Sequence, residues 1–153
     1  MKKYILILCI GMCMALIVGC SNINSNKLGL DKVNKEEYND NIRKFYENIV
    51  LVDNEDLKIS AVSFRYLNNY GTIELIIENK SDKLVSVSLD KLFFSDKEKE
   101  ARLLCNINPK CGVNEYIYIE SINTIKDFND KIEGVFNVSI NKNNNKYKFM
   151  FKG

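Results

Sequence analysis

The stretch Leu57–Asn79, LKISAVSFRYLNNYGTIELIIEN, decides the fold class of this chain. Leu57, Ile59 and Ala61 alternate with other residues, and the alternation resumes after a slip of one position. Asn-Asn-Tyr-Gly at 68–71 is typical of a turn, and a second alternating segment follows it. A period of two indicates strands with one buried and one wet face. The stretch therefore predicts two strands of an antiparallel sheet joined by a turn.

The same pattern continues along the chain to residue 151. Further short apolar or alternating segments lie at 85–89, 92–94, 103–107, 115–120, 135–140 and 146–151. Seven or eight such strands, separated by turns, predict an all-β antiparallel sandwich. We expect this domain to occupy residues 50–153.

A helical period precedes the predicted sandwich. Asn34 and Glu37 are spaced like a capping pair. The apolar residues that follow recur at helical spacing, namely Tyr38, Ile42, Phe45 and Ile49. The sequence therefore predicts a short amphipathic helix over 34–49, on the domain or between it and the segment before it.

The N-terminus has the architecture of a secretory signal. Met1-Lys2-Lys3 is positive, and residues 4–18 are uncharged and largely apolar. A membrane-spanning anchor is the alternative, but the run is shorter than the about 20 apolar residues that a span needs. Residues 1–19 are therefore predicted to be a signal peptide, and the polar residues 20–33 a flexible tether.

Ile17-Val18-Gly19-Cys20 resembles the lipobox of bacterial lipoproteins. That resemblance implies a diacylglyceryl group in thioether linkage on Cys20 and cleavage before it. Two acyl chains anchor a protein stably, whereas one myristoyl chain holds it only marginally. The expected location is thus the extracytoplasmic face of the cell membrane, with the membrane itself as a partner.

The charge balance gives no support to binding of nucleic acid or of anionic lipid. Without Lys2 and Lys3, the 22 basic residues fall to the same number as the 20 acidic ones. The chain has no histidine, the side chain best suited to proton transfer near neutral pH and the commonest zinc ligand. We therefore predict no catalysis, no metal and no cofactor.

The acidic residues form no convincing chemical motif. Asp53-Asn54-Glu55-Asp56 lacks the glycine and the late glutamate of a calcium loop, so a solvated turn is expected there. Glycoside hydrolysis needs two carboxyl groups a few ångströms apart. Glu74, Glu78 and Glu115 could supply such a pair, but no local motif singles them out.

Two cysteines follow the lipobox, Cys105 and Cys111, with Asn-Ile-Asn-Pro-Lys between them. In an exported chain they could form a disulfide or remain two buried or half-buried thiols. If Pro109-Lys110 centres a hairpin turn with Asn108 facing Cys111, the hairpin register separates the two sulfurs. The disulfide is therefore the less favoured alternative.

The segment 115–120 places Tyr116 and Tyr118 on one strand face and Ile117 and Ile119 on the other. One of these pairs should belong to the core. If the tyrosines face outward, they form a contact patch, since exposed aromatic residues are common at interfaces. If they face inward, they pack in the core with a polar tip.

Four further motifs lie along the predicted sandwich: Asp53-Asn54, Glu78-Asn79-Lys80-Ser81-Asp82-Lys83, Cys105 and Pro109. Together they resemble an immunoglobulin-like domain of exported Gram-positive, largely clostridial, proteins. Lys110 and Cys111 depart from the family, which usually has Gly and Lys there. The resemblance covers about residues 50–151 and implies an immunoglobulin-like sandwich without an assigned activity.

Taken together, these features predict a lipid-anchored, non-catalytic interaction module that binds an envelope or extracellular protein. The alternative is an inhibitor or immunity lipoprotein that captures an attacking enzyme with a protruding loop. The candidate loops are residues 95–100 and 141–145.

Overall fold

The computed structural model describes residues 41–153. The predicted signal peptide 1–19, the lipobox Ile17–Cys20, the tether 20–33 and the first part of the predicted helix lie outside the described residues. In the part that is described, no helix is long and apolar enough to cross a membrane.

Ten strands and one short 3-10 helix make up the described residues. The helix spans Ile125–Asn129. The strands are β1 Ile42–Asp53, β2 Leu57–Leu67, β3 Tyr70–Asn79, β4 Val85–Phe94, β5 Lys97–Glu98, β6 Ala101–Arg102, β7 Leu104–Ile107, β8 Gly112–Glu120, β9 Lys131–Ile140 and β10 Asn143–Lys152. The count exceeds the predicted seven or eight because β1 and the two-residue strands β5 and β6 are additional, whereas the predicted segments 85–89 and 92–94 form one strand, β4.

The strands form two antiparallel sheets with an immunoglobulin-like topology. Sheet A has the order β1-β2-β3-β8-β6, and sheet B has the order β10-β9-β4-β5, with β7 also paired to β4. Apart from β1, β2-β3-β8-β6 corresponds to strands A, B, E and D of the immunoglobulin fold. In the same way, β4, β9 and β10 correspond to C, F and G. The predicted immunoglobulin-like sandwich is therefore confirmed.

The core lies between the inward faces of the two sheets and is closed at one end by aromatic rings. Phe64 of β2 stacks on Phe128 of the 3-10 helix, with ring centroids 4.3 Å apart. Phe45 of β1 meets Phe64 edge-on at 4.8 Å, and Phe151 of β10 stacks on Phe64 at 5.9 Å. The side chain of Arg43 covers this cluster, because its guanidinium lies over the Phe64 ring and donates to the Phe128 carbonyl.

The predicted helix is wrong over residues 42–49, which belong to strand β1. Ile42 to Lys44 pair with β2, and pairing resumes at Ile49 after an irregular stretch. The helical period misleads because a spacing of four, as between Phe45 and Ile49, brings two residues to one face of a strand as well as of a helix. The three residues between them are all exposed, so no period of two is visible there. Pairing with β2 and burial of Phe45 thus outweigh the local helical pattern.

Asn79 organises the turns at the opposite end of the domain. Its buried side-chain amide donates to the carbonyls of Lys83 at 2.7 Å, Ile107 at 3.0 Å and Asn108 at 3.0 Å. Its Oδ1 accepts from both the backbone and the hydroxyl of Ser81. One side chain therefore connects the turn after β3 with the turn after β7.

The turn between β1 and β2 joins the same assembly. Asn54 Oδ1 accepts hydrogen bonds from the amides of Asp56 and Leu57 at 2.9 Å each, which fixes the turn. Lys80 pairs with Asp53 and donates to the Asn54 carbonyl at 2.8 Å. The predicted turn at Asp53–Asp56 is confirmed, and its side chains stabilise the fold.

Three other connections are tight hairpin turns with both central residues at positive φ. They are Asn68-Asn69, Ser95-Asp96 and Asn141-Lys142. Paired positive φ values are typical of the type I′ turns that match the twist of hairpins. The predicted loops at 95–100 and 141–145 are consequently wrong in extent, because Lys97–Glu98 and Asn143–Asn145 pair within sheet B.

Candidate functional site

The tyrosines of β8 face outward. Ile117 and Ile119 are fully buried between the sheets, whereas Tyr118 is 46% exposed and Tyr116 is half-buried. Of the two alternatives left by the sequence, the outward one is therefore observed. The two rings lie 6.1 Å apart at 51°, so they form one continuous aromatic surface.

Polar side chains of β2 and β3 lie beside these rings. Glu74 accepts from the Ser63 hydroxyl at 2.6 Å and from Arg65 Nη2 at 3.2 Å. The Arg65 guanidinium also lies 5.7 Å from the centre of the Tyr116 ring, within the range of a cation–π contact. We call this set the tyrosine face: Ser63, Arg65, Thr72, Glu74, Tyr116 and Tyr118.

Strand pairing explains why these residues meet. Tyr116 lies opposite Glu74 and Tyr118 opposite Thr72 across the β3–β8 pair. On the other side of β3, Glu74 pairs with Ser63 and Thr72 with Arg65. Directly paired residues project to the same side of a sheet. The tyrosine face is therefore two adjacent rows on the outer surface of sheet A.

The outer surface of sheet B has a different composition. Ser86 pairs with Ser139 and Ser88 with Asn137, and Ser86 also bonds the side chain of Asn106. The neighbouring edge strand β10 presents lysines at alternate outward positions, Lys146, Lys148 and Lys152, with Met150 among them. Lysines on an edge strand discourage pairing with other chains. The aromatic and arginine-bearing surface is thus on sheet A.

Cys105 is a free thiol, so the disulfide considered between Cys105 and Cys111 is not formed. Cys105 lies on β7, which pairs with β4 of sheet B, while Cys111 immediately precedes β8 of sheet A. The predicted turn is present, since the Cys111 amide donates to the Asn108 carbonyl. The predicted hairpin is wrong, because the chain passes from one sheet to the other at this turn.

The Cys105 thiol is unsuited to act as a nucleophile. Burial, together with the neighbouring Glu115 carboxylate, raises the pKa of Cys105 to about 12. The thiolate is the reactive form of cysteine, and a thiol with so high a pKa remains protonated at neutral pH.

The carboxylates considered for glycoside chemistry lie on opposite sides of sheet A. Glu74 and Glu78 project outward from β3, whereas Glu115 pairs with the core residue Leu75 and projects inward beside Cys105. Burial raises the pKa of the Glu115 carboxyl, and a hydrogen bond from the Tyr116 backbone partly opposes that effect. Glu115 therefore cannot pair with Glu74 across a cleft.

Among residues 41–153, no group of three or more histidine, cysteine or acidic side chains is arranged to hold a metal ion. Asp53 instead forms an ion pair with Lys80, which lowers the pKa of Asp53 through the hydrogen bond between them.

Comparison with known proteins adds similarity of fold alone. No family profile matches the chain, and no curated protein matches it. The GAE domain of GGA2p from Saccharomyces cerevisiae is similar, with 14% identity over 70% of this chain and 97% of that one, and a TM-score of 0.43. The GAE domain of yeast GGA1 shares 9% identity over 70% and 99% of the two chains, with a TM-score of 0.45.

A bacterial structure is also similar, the FixG-related protein from Vibrio parahaemolyticus. It shares 13% identity over 66% of this chain and 97% of that one, with a TM-score of 0.34. At identities and TM-scores this low, none of these similarities carries an argument about function.

Sequence reasoning singled out Tyr116 and Tyr118 but missed the arginine beside them. Arg65 stands in a segment of strand β2 where alternation alone marks it as an outward residue. Only the strand register places Arg65 beside the tyrosines. When β2, β3 and β8 are aligned, Arg65, Thr72 and Tyr118 lie in one row.

Proposed function

We propose that this chain is a lipid-anchored protein of the extracytoplasmic face of a bacterial membrane, and that its sandwich is a non-catalytic interaction module. The tether and the acylated Cys20 would hold the domain at the membrane surface. The tyrosine face would bind an envelope or extracellular protein.

The outward position of Tyr116 and Tyr118 beside Arg65 is the observation that carries this proposal. Tyrosine and arginine are enriched at the energetic centres of protein interfaces. The surrounding surface of sheet A adds apolar area, because Val50 and Tyr70 are each about half exposed. The outer surface of sheet B also has exposed apolar residues, Leu104 and Met150, but among serine, asparagine and lysine side chains and without an arginine beside an aromatic ring.

The alternative, an inhibitor that inserts a loop into an attacking enzyme, has less support. The two segments that would serve as its loop contain two-residue turns, Ser95-Asp96 and Asn141-Lys142. No observation among the described residues favours that alternative over the tyrosine face.

A binding experiment tests the role of the tyrosine face. Proteins crosslinked to the chain on intact cells are compared for wild type, for Tyr116→Ala with Tyr118→Ala, and for Lys148→Ala with Lys152→Ala. The tyrosine pair should reduce capture of the partner about tenfold or more, since central interface residues contribute about 2 kcal/mol or more each. Unchanged capture by the folded tyrosine variant would refute the proposal.

The anchor is tested separately through Cys20. Wild type should partition into the detergent phase of a Triton X-114 extraction, while Cys20→Ala should be released or accumulate unprocessed. Equal recovery of both proteins in the aqueous phase would show that Cys20 carries no lipid.

A further inference from the structure

The strands of sheet B present more lysines than carboxylates on their outer surface. Lys148 of β10, Val135 of β9 and Lys91 of β4 lie in one row, because each is paired directly with the next. Five lysines project from this side, and we call them the lysine surface: Lys91, Lys131, Lys146, Lys148 and Lys152. Three carboxylates project from the same strands, namely Asp90, Glu98 and Glu133.

Three of the five lysines are available to an external partner. Asp90 already pairs with Lys146 at 2.9 Å. Glu133 pairs with Lys131 at 2.9 Å, and Asp96 in the turn after β4 also lies near Lys131, so the charge there is balanced. The other three lysines form no ion pair among residues 41–153, and we call them the free lysines: Lys91, Lys148 and Lys152.

Protection of a sheet edge does not account for all of the free lysines. Strand β10 is an edge strand, where lysines discourage pairing with other chains. Lys91, however, lies on β4, which is paired on both sides and has no edge to protect. The remaining carboxylate, Glu98, lies on β5, at the edge of sheet B farthest from β10. The free lysines therefore form a positive area that extends from β10 to β4.

The outer surface of sheet A has no such excess of positive charge. Four basic and four acidic residues occupy the outward positions that are paired in its ladders. The basic residues are Lys44, Lys58, Arg65 and Arg102, and the acidic residues are Asp53, Glu74, Glu78 and Glu120. The equal numbers of charges after residue 19 thus conceal an uneven distribution, which favours an anionic partner on sheet B.

Apolar side chains lie among the free lysines. Met150 is 63% exposed on β10, and the half-buried Phe93 lies in the same row, on the other side of Glu133. Lysine side chains with apolar neighbours suit the boundary between water and a bilayer. Their stems cover apolar surface while their ammonium groups stay among anionic headgroups.

The chain that follows Cys20 enters the sandwich beside β10. Strand β1 begins at Ile42, and its Phe45 ring lies against that of Phe151 on β10, with centroids 6.2 Å apart. Residues 21–41 connect Cys20 to Ile42 and can span at most about 75 Å. A lipid anchor at Cys20 would therefore keep the lysine surface within reach of the bilayer, so that a few weak contacts suffice to orient the domain.

We infer that the lysine surface lies against the anionic lipid headgroups of the membrane that holds the chain, with the tyrosine face directed away from that membrane. Anionic lipids attract lysines that lie within about 10 Å of their surface. Three lysines without an ion pair, on one side of an anchored domain, complement that charge. This inference rests on the proposed function, because it requires the lipid anchor and leaves the tyrosine face accessible to a protein.

The test measures how fast each lysine of the full lipidated chain is acetylated. The chain is held in vesicles of phosphatidylcholine alone or with about one-third phosphatidylglycerol, and a brief pulse of a water-soluble N-hydroxysuccinimide ester is followed by mass spectrometry. The free lysines should react about fivefold more slowly in the anionic vesicles. Three control lysines elsewhere on the domain should change by less than about twofold, namely Lys58, Lys83 and Lys126.

Two triple variants test whether the free lysines cause this protection. Lys91→Gln with Lys148→Gln and Lys152→Gln should abolish the slower reaction of Lys146 in anionic vesicles. Lys58→Gln with Lys83→Gln and Lys126→Gln removes the same charge and should leave the slower reaction of Lys146 unchanged. All six substituted side chains are at least partly exposed, so both variants should fold.

Four results would overturn the inference. They are equal rates in the two kinds of vesicle, equal protection of the control lysines, protection of Lys146 that survives loss of the free lysines, and protection by soluble polyphosphate with neutral vesicles that is as strong as that by anionic vesicles. The proposed anchor fails differently, because a chain without lipid would not float with phosphatidylcholine vesicles. If the chain floats but the rates are equal, only the inference is wrong.

Discussion

Asn79 is the residue on which three chain segments converge. Its amide donates to three carbonyls, and its oxygen accepts from Ser81, so that the turns after β3 and β7 are held together. The motif around Asn79 therefore has a structural explanation. In irregular turns the backbone carbonyls lack the partners that a neighbouring strand would supply. The Asn79 side chain donates hydrogen bonds to these carbonyls in place of a strand.

Replacement of Asn79 by alanine should destabilise the domain strongly. The three carbonyls lose a buried donor, and we expect the free energy of unfolding to fall by about 3 kcal/mol in guanidinium titrations. Asn144→Ala is the matched control, since Asn144 is exposed on β10 and should change the stability by less than about 0.5 kcal/mol. Similar losses in both variants would contradict the role assigned to Asn79.

Glu115 should make the stability of the domain depend on pH. Burial raises the pKa of Glu115 in the folded chain, so the native state binds the proton more tightly than the unfolded chain does. The contribution of this group is most favourable below the unfolded pKa of about 4.3 and is lost as pH rises through the folded pKa.

Glu115→Gln should therefore raise the melting temperature relative to wild type more at pH 7 than at pH 3.5. Thermal unfolding followed by circular dichroism across this range measures the difference, with Glu120→Gln as the control on the same strand. A difference between Glu115→Gln and wild type that is constant with pH would contradict the prediction.

At the scale of elements, strand β10 shows how the register fixes the core. It pairs with β9 at ten consecutive positions without a shift, from Asn143 opposite Ile140 to Lys152 opposite Lys131. Phe149 and Phe151 are buried while Lys148 and Met150 are exposed. A shift by one position, or by any odd number, would exchange these two sets.

Deletions after the Asn141-Lys142 turn test this dependence. Removal of Asn143–Asn145 shortens the strand by an odd number and should turn both phenylalanines outward, at a cost of about 3–6 kcal/mol. Removal of Asn143–Asn144 keeps the inward set on the core side and should cost much less. Equal stability of the two variants in guanidinium titrations would show that β10 tolerates a change of register.

The regularity of each strand determines whether the sequence predicts it. Alternation and turn residues were sufficient for β3, β8 and β9, whose inward sets are regular. They were also sufficient for β2, because its one shift, between Ala61 and Ser63, leaves alternation on both sides. Strand β1 was missed because its pairing is interrupted between Lys44 and Ile49, which destroys the period of two. No local sequence pattern shows that a neighbouring strand will form hydrogen bonds with the backbone of such a segment.

The candidate surface was predicted in part for a similar reason. Alternation separated Tyr116 and Tyr118 from Ile117 and Ile119, but it could not tell which pair faces the core. The pairing of β8 with β3 decides that question, and it also brings Arg65 and Arg102 to the row of Tyr118. Side chains that are distant in sequence become neighbours only through the sheet.

At the scale of the whole molecule, the two outer surfaces of the sandwich differ in chemistry. One presents the tyrosine face, and the other presents serine, asparagine and lysine side chains. In the proposed function, the first surface binds a protein while Cys20 holds the chain at the membrane. Tyr118 on the outer surface of sheet A and Met150 on that of sheet B are exposed to a comparable degree, 46% and 63%.

Site-specific photocrosslinking on intact cells tests whether the partner protein binds the tyrosine face. The photoreactive residue p-benzoylphenylalanine replaces Tyr118 in one protein and Met150 in another, and the irradiated proteins are recovered and compared. We expect a discrete crosslinked protein from position 118 that is absent from position 150 and is lost when Tyr116→Ala is added. Crosslinks that are the same from both positions, or that arise only from position 150, would contradict the account.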